Sequence, residues 1–574
     1  MPLLESAPLP ATELAGDPAG ETAALVRRHG LTPPIAQLLW QRGWRDDQAL
    51  ADFLNPQLSH LHAPTLLPDM DRALARIRAA IAAREPIVIF GDYDVDGVTA
   101  VVVLHAALRR LGAEVSYFIP DRFASGYGPT LEAVRQLASA GARLIITVDT
   151  GIRALAEVAL ATELGLDVII TDHHLPGPGL PAACAVINPR RGDCDYPDKE
   201  LSGAGLAFKL AQALLEEAGV IAGGGPGWPA ALARIAMLGI VADHVPLRGE
   251  NRVLAHQGLA GLSETVNPGL RALLELALPG VARVRAGDVA FQLAPRLNSA
   301  GRLASATLAV ELFTSPAPRA QAVARQLEQL NQQRRRLEME ILAAIQARRP
   351  AATAAPVALL WGEGWHRGVL GIVAARMLRQ LQKPVLVAGC HEGMAHGSGR
   401  APQGFALLEV LEGCGGLFSR FGGHAQAVGF TLPAARLPEL EAYLAALPAG
   451  AGSAPASAPG HELDLPLQEI SPALLSDLTR LEPCGAGNPE PWFRARARLA
   501  QPPQVLKERH LKLVLDPGCE ALAWHAVRGP SVHLAAGALP LAALQPGCEL
   551  DIIYRIEANT RARGGWQLIL RGEN

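Results

Sequence analysis

The chain has 574 residues, 49% hydrophobic and 19% charged, with a net charge of −3. That length predicts three or four packed domains, and the near-neutral balance excludes a protein that grips a polyanion by overall charge; any nucleic-acid contact must come from locally clustered bases. No run approaches the roughly 18 apolar residues of a membrane span, and the opening MPLLESAPLP lacks a signal peptide's basic start, which together predict a cytoplasmic protein with no membrane attachment. Seven scattered cysteines without a CxxC pair exclude a zinc knuckle and a disulfide framework.

In chain order, Leu25, Val26, Ile35, Leu38, Leu39, Leu50 and Phe53 recur at helical intervals, so residues 1–69 are expected to form a helical segment packed on the domain that follows. From 70 to 316 the apolar runs Ile87–Phe90, Leu144–Val148 and Val168–Ile170, separated by helix-length connections, predict buried strands of a parallel sheet. A long amphipathic helix is expected over 317–349, its apolar face (Val323, Leu327, Leu330, Leu337, Ile341, Ile345) interrupted by Arg334, Arg335 and Arg336. Residues 350–447 read as a second α/β unit with an apolar run at Val385–Val387 and Gly-rich turns near 397–404 and 422–429. Pro448 to Gly460 has linker composition, and alternation in FRARARL, LKLVL, LDIIYRI and QLIL predicts a small β-barrel of OB type over 461–574.

The chemistry sits in the acidic endings of the predicted strands. After Ile87–Phe90 comes Gly91-Asp92-Tyr93-Asp94-Val95-Asp96-Gly97; alternate residues of an extended chain share a face, so Asp92, Asp94 and Asp96 are expected to crowd together before a helix near Val98. Asp149 follows LIITV, Asp172-His173-His174 follow VIIT, and Asp243 follows MLGIVA, and in a parallel sheet such ends converge on one rim. One strand-ending Asp is ordinarily a turn or helix cap; the ordered set is what points to a site. Carboxylates with one or two imidazoles and no thiolate suit a pair of Mn²⁺ or Mg²⁺ ions, the arrangement that drives phosphoester hydrolysis.

Taken in order, GDYDVDG, VDTG, DHH and AD resemble the signature of the DHH phosphoesterase superfamily. RLNSAGR, GWHRGVLGIVA, HGSGR, FGGHAQAVGF and PCGAGNPEPWF resemble elements of its RecJ branch, so that the resemblance covers nearly the whole chain. It implies an α/β protein: a parallel-sheet DHH catalytic domain, the connecting helix, a DHHA1-like substrate-binding domain and an OB-like barrel. Asp94, Asp96, Asp149, His173 and Asp243 are implied as ligands of two divalent cations, with Asp149 as bridge, His174 at the scissile phosphate and Asp172 orienting the histidines. Many members carry a histidine where this chain has Phe90, a departure for which the RecJ-like form GDYDVDG implies that Asp92, among the catalytic residues, partly compensates. The implied activity is a 5′ to 3′ exonuclease on single-stranded DNA that releases 5′ mononucleotides in recombination and repair, working as a monomer beside a single-strand-binding protein and a helicase.

For substrate grip, Ser398 and Arg400, with Arg296 and Arg302, are candidates to hold a terminal 5′ phosphate, because guanidinium forks match phosphate oxygens. Gly423 and His424 resemble the superfamily's substrate-binding turn. Arg494, Arg496 and Arg498 share a strand face near Lys507, Arg509, His510 and Lys512 and could track a backbone, while Phe123, Tyr127 and Trp492 could stack on bases. The rival readings are a phosphodiesterase of short oligonucleotides or cyclic dinucleotides, which has no need of the barrel and long connector, and a catalytically silent DNA-binding scaffold, which has no need of six crowded acids.

Overall fold

The computed structural model describes residues 18–122, 128–220, 227–348, 355–448, 460–535, 537–559 and 565–572. They fall into two compact units, one of residues 56–448 with 483–488, the other of 18–55, 460–482 and 489–572.

The first unit opens with a five-stranded sheet: β1 (Ile87–Gly91), β2 (Val115–Phe118), β3 (Leu144–Val148), β4 (Asp167–Thr171) and β5 (Ala185–Ile187). All pairs are parallel and the order is β2-β1-β3-β4-β5. Alternation sends Ile87, Ile89, Leu144 and Ile146 into a core with the helices Val95–Arg110, Gly203–Glu217 and Gly227–Ala242. Val88, Phe90, Ile145 and Val168 enter a second core with the helices Leu131–Ser139 and Leu155–Glu163. Burial on both faces explains why these strands read as unbroken apolar runs. Because the chain leaves β1 to one side and returns at β3 on the other, the carboxyl ends of β1 and β3 flank a topological switch point, where an α/β sheet opens a crevice.

Two expectations are corrected here. Asp243 does not end a strand: MLGIVA belongs to the helix Gly227–Ala242, buried on most of its surface, and a short fully buried apolar run does not reveal its period. The helix after β1 starts at Val95, so Asp96 lies in its first turn rather than in extended chain.

The connecting helix, Ala317–Arg348, runs about 48 Å at 1.5 Å per residue. Its first half buries Val323, Ala324 and Leu327 in the catalytic core; its second half buries Ile341, Leu342 and Ile345 against the next sheet. That sheet comprises β6 (Ala358–Glu363), β7 (Val385–His391), β8 (Met394–Arg400), β9 (Arg420–His424) and β10 (Ala427–Pro433), in the order β6-β7-β8-β10-β9. The expected Gly-rich turns are in large part strands. A Cβ on Gly397 would stand 2.0 Å from the Phe430 ring and one on Gly399 2.5 Å from Leu386, so these glycines admit neighbouring side chains rather than bend the chain.

In the second unit, a seven-stranded sheet runs from Leu463–Asp464 at one edge to Gln504–Leu506 at the other, beside a three-stranded sheet. The two edges do not pair among the described residues, so the expected closed barrel is an open sheet. The helices Pro18–His29, Pro33–Gln41 and Asp47–Leu54 share one core with its strands: Ile35, Leu38, Leu39, Leu50 and Phe53 pack with Phe493, Leu513, Ile552 and Tyr554. Where packing on the catalytic domain was expected, residues 18–54 share the core of the second unit; their apolar face recorded that they pack, not on what. The linker expected at Pro448 to Gly460 falls mainly on 449–459, outside the described residues.

Candidate metal centre and the adjoining arginine cluster

At the crevice, Asp94 caps the helix Val95–Arg110, its carboxylate accepting from Asp96 N at 2.9 Å and Gly97 N at 3.1 Å. The Asp96 carboxylate in turn accepts from Gly203 N at 2.7 Å and Ala204 N at 3.0 Å, the first free amides of the helix Gly203–Glu217. Burial, then the neighbouring Asp94, pushes Asp96 up to about 7. Asp149 leaves β3 in the left-handed region at φ 62°. Asp92, Asp149 and Asp243 are all held well above the usual carboxylate range, by burial first and then by the neighbouring charge of Asp94 and, for Asp149 and Asp243, Asp96 before it.

His173 stands among them, its Nε2 3.2 Å from Asp149, 3.6 Å from Asp243 and 3.9 Å from Asp96. Burial, then His174, drops it to about 3, so it is a neutral imidazole; neither ring nitrogen has a hydrogen-bond partner among the described residues. His174 is different: its Nδ1 is 2.7 Å from Asp172, which also accepts from His174 N and from Ile152 N. Burial alone would lower His174, but the Asp172 bond outweighs it and raises it. Asp172 thus orients one histidine, not both as expected. Phe90 takes no part; it packs on Phe118 with ring centroids 5.4 Å apart in the core beneath.

Three groups bring their ligand atoms within 4.8 Å of one another: Asp92, Asp94 and Asp149; Asp96, His173 and Asp243; Asp149, His173 and His174. Asp149 joins two of them, which is the geometry of two neighbouring cation positions with a shared carboxylate. Buried like charges and an orphaned neutral imidazole fit that group, since without a cation the cluster pairs carboxylate with carboxylate. Glycines make the room: a Cβ on Gly203 would lie 2.5 Å from Asp149 Oδ1, and one on Gly239 2.5 Å from Asp96 Oδ1. Gly203→Ala is expected to weaken Mn²⁺ binding on the order of 10- to 100-fold in a calorimetric titration. Alanine favours the helix, so unchanged Mn²⁺ binding would show the Asp149 contact to be slack.

Beside the acids lies a set of bases drawn from four segments. Burial, then Arg122, Arg334 and Arg400, pushes Arg302 down to about 9, and Asp94 offsets part of the shift. Arg400 is lowered by burial and then by Arg122. Arg400 donates to Ser398 Oγ at 3.2 Å, Arg302 to Gly368 O at 3.3 Å, and Arg122 lies over the Tyr93 ring at 4.8 Å. Asn331 Nδ2 and Arg334 Nε are buried donors without an acceptor among the described residues. Mutually repelling cations, Arg334 buried and Arg122, Arg302 and Arg400 half-buried, with spare donors suit a multiply charged anion.

Of the predicted grip residues, Arg302, Ser398 and Arg400 belong to this cluster. Arg296 does not: its guanidinium binds Glu328 at 2.6 Å and Gln292 O at 2.6 Å, a packing role against the connecting helix. Gly423 and His424 are exposed on β9. Phe123 and Tyr127 lie outside the described residues. In the second unit Arg494 pairs with Asp551, Lys512 with Glu520 at 3.0 Å, and Trp492 lies under Arg571 at 5.2 Å. Sequence reasoning missed Arg122, Asn331 and the role of Arg334, whose only signal was a charge interrupting an apolar helix face.

Comparison with known proteins agrees with this organisation. The DHH family N-terminal domain matches residues 86–240, the DHHA1 domain 353–447 and the RecJ OB domain 461–572. The single-stranded-DNA-specific exonuclease RecJ of Dickeya dadantii is 38% identical over 88% of this chain and 90% of its own. That of Bacillus subtilis is 39% identical over 82% of this chain, which spans 59% of the relative's length. The crystal structure of RecJ from Thermus thermophilus in complex with Mn²⁺ superposes with a TM-score of 0.79 at 31% identity, covering 98% of this chain and 78% of that one. The complex of the same protein with Mg²⁺ gives 0.74 at 30% identity, covering 98% and 77%. With all three domains in order and this identity across most of its length, the chain belongs to the RecJ family of the DHH superfamily.

Proposed function

We infer that this chain is a single-stranded-DNA-specific exonuclease that hydrolyses phosphodiester bonds from the 5′ end with two divalent cations. The observation that carries the reading is the shared Asp149 between two acid groups, one holding an orphaned His173, beside a cluster of arginines. Asp92, Asp94 and Asp149 would hold one Mn²⁺ or Mg²⁺; Asp96, His173 and Asp243, with Asp149, the other. When bound, such a pair activates water and neutralises charge on the attacking and leaving oxygens.

The chain's own groups do the rest. His174, oriented by Asp172 in a bond that favours its protonated form, faces the scissile phosphate, and His173 stays neutral with a lone pair to offer. Arg302, Arg400 and Ser398, supported by Arg122 and Arg334, hold the terminal 5′ phosphate and so fix which bond meets the acids. Water adds to the phosphorus of the diester that joins the first nucleotide to the second, the 3′ oxygen of the first nucleotide leaves and takes up a proton, and a 5′ mononucleotide is released while the shortened strand keeps a 5′ phosphate. Arg494, Arg496 and Arg498 share an exposed strand face in the OB domain that suits the trailing strand.

Among the described residues no helix is long and apolar enough to cross a membrane, and all seven cysteines are free, which supports a cytoplasmic setting. There a helicase would supply the single strand, a single-strand-binding protein would present it, and one copy of the chain carries a whole acid cluster.

Single-stranded DNA labelled at either end, offered with Mn²⁺, tests this. Immediate release of labelled mononucleotide from the 5′ end alone is the expected result; release from the 3′ end first would overturn the polarity. Chelation is expected to abolish cleavage, and Mn²⁺ at 100 times its Kd to stabilise the protein by about 2.7 kcal/mol, read as a rise in Tm.

A further inference from the structure

The helix Gly249–Ala260 begins with three consecutive buried polar residues, Glu250, Asn251 and Arg252, each at most 2% exposed. Successive helical positions point about 100° apart, so the three reach different segments. Glu250 takes Lys209 at 2.9 Å and the Tyr196 hydroxyl; Arg252 donates to Pro483 O at 3.1 Å. Asn251 faces the acid cluster's supports. Its Oδ1 accepts from Ser202 N at 3.3 Å, while its Nδ2 donates to Glu200 O at 2.5 Å and to Pro246 O at 3.3 Å.

Those partners matter for what lies next to them. Ser202 caps the helix Gly203–Glu217, its Oγ accepting from Gly205 N at 3.1 Å, and the next two amides of that turn hold the Asp96 carboxylate. Pro246 lies three residues past Asp243, on a segment held from behind by the bond from Leu247 N to Ala486 O at 2.7 Å. One side-chain amide therefore ties the turn that grips Asp96 to the turn that carries Asp243. An amide suits the task because it offers an acceptor and two donors in one plane; a carboxylate would set one acceptor oxygen against both carbonyls.

We propose that Asn251 is a positioning residue: by tying Ser202 to Pro246 it fixes the separation of Asp96 and Asp243, and with it the affinity of the cation position they share with His173. The proposal rests on the two-cation reading above. Asn251 touches no substrate and no reacting atom, and acts through the two segments it ties.

Isothermal titration of Mn²⁺ into the metal-free full-length protein, without DNA, tests it on wild type, Asn251→Ala and Asp243→Ala. Asn251→Ala is expected to weaken Mn²⁺ on the order of 10- to 100-fold at one position, the scale for groups that orient metal ligands, and to move the isotherm toward that of Asp243→Ala. Affinity for 5′-phosphorylated single-stranded DNA in EDTA is expected to stay unchanged, because the arginine cluster is untouched. A variant that loses Tm yet binds Mn²⁺ as wild type does would overturn the proposal and leave Asn251 a packing residue. Wild type that takes up no Mn²⁺ would instead overturn the two-cation reading beneath it. Should Asn251→Ala not fold, Asn251→Ser, which keeps a hydroxyl in the space, gives the same two outcomes.

Discussion

Asp149→Asn is expected to leave a folded, somewhat more stable protein that cleaves single-stranded DNA about 10³-fold more slowly, the upper end of what loss of a single charge-stabilising group costs. Asp149 takes a left-handed backbone, which Asn tolerates better than most residues other than glycine, and Asn keeps the side chain's shape, so the substitution changes charge and little else. The charge is the point. Asp149 belongs to two of the three acid groups and sits among Asp92, Asp94, Asp96 and Asp243, whose repulsion adds to burial in raising it. Without cations that repulsion opposes folding, so its relief is expected to stabilise the metal-free protein by about 1–2 kcal/mol, as commonly found where an active site is tuned for activity rather than stability. Thermal melts in EDTA and single-turnover cleavage in Mn²⁺ read the two effects separately. Cleavage within tenfold of wild type would remove Asp149 from the shared position.

Arg400→Ala is expected to cut kcat/KM for 5′-phosphorylated substrate by about 10- to 100-fold, the cost of a hydrogen bond to a charged group, while hardly affecting a 5′-hydroxyl substrate. Arg400 is lowered by burial and by Arg122, which is the condition of a cation waiting for an anion. Arg302→Ala is expected to act in the same direction, and Arg296→Ala to lower stability without changing the ratio between the two substrates, since its partner is Glu328. An equal loss on both substrates from Arg400→Ala would assign the cluster to the strand backbone rather than to its end.

Much of this architecture was legible from pattern. β1, β3 and β4 are buried on both faces, so apolar runs announced them, and the acids behind them were visible as a set. β2 and β5 are shorter, four and three residues, and β2 is only half-buried, so neither stood out. Asp243 was picked out for the right neighbourhood on the wrong element, because a helix buried nearly all round shows no stripe. Arg122 follows β2 without any motif; only the fold carries it to Arg302 and Arg400. The glycines of β8 read as turn formers, and distinguishing a bend from a close approach required knowing where Phe430 would lie.

The shared core of the first helices and the last strands also sets an order of events during synthesis. Phe53 meets Trp44 nearby in the chain, with ring centroids 4.5 Å apart, but the strand half of the core that it and Leu50 join comes from residues Leu463 onward, about 400 positions later. At 5–20 residues per second, that leaves the leading helices without their core for roughly 20 to 80 s after they leave the ribosome, while the DHH sheet can already close behind them. The nascent chain thus matures from its middle, and a truncation at either terminus strips apolar cover from the same domain.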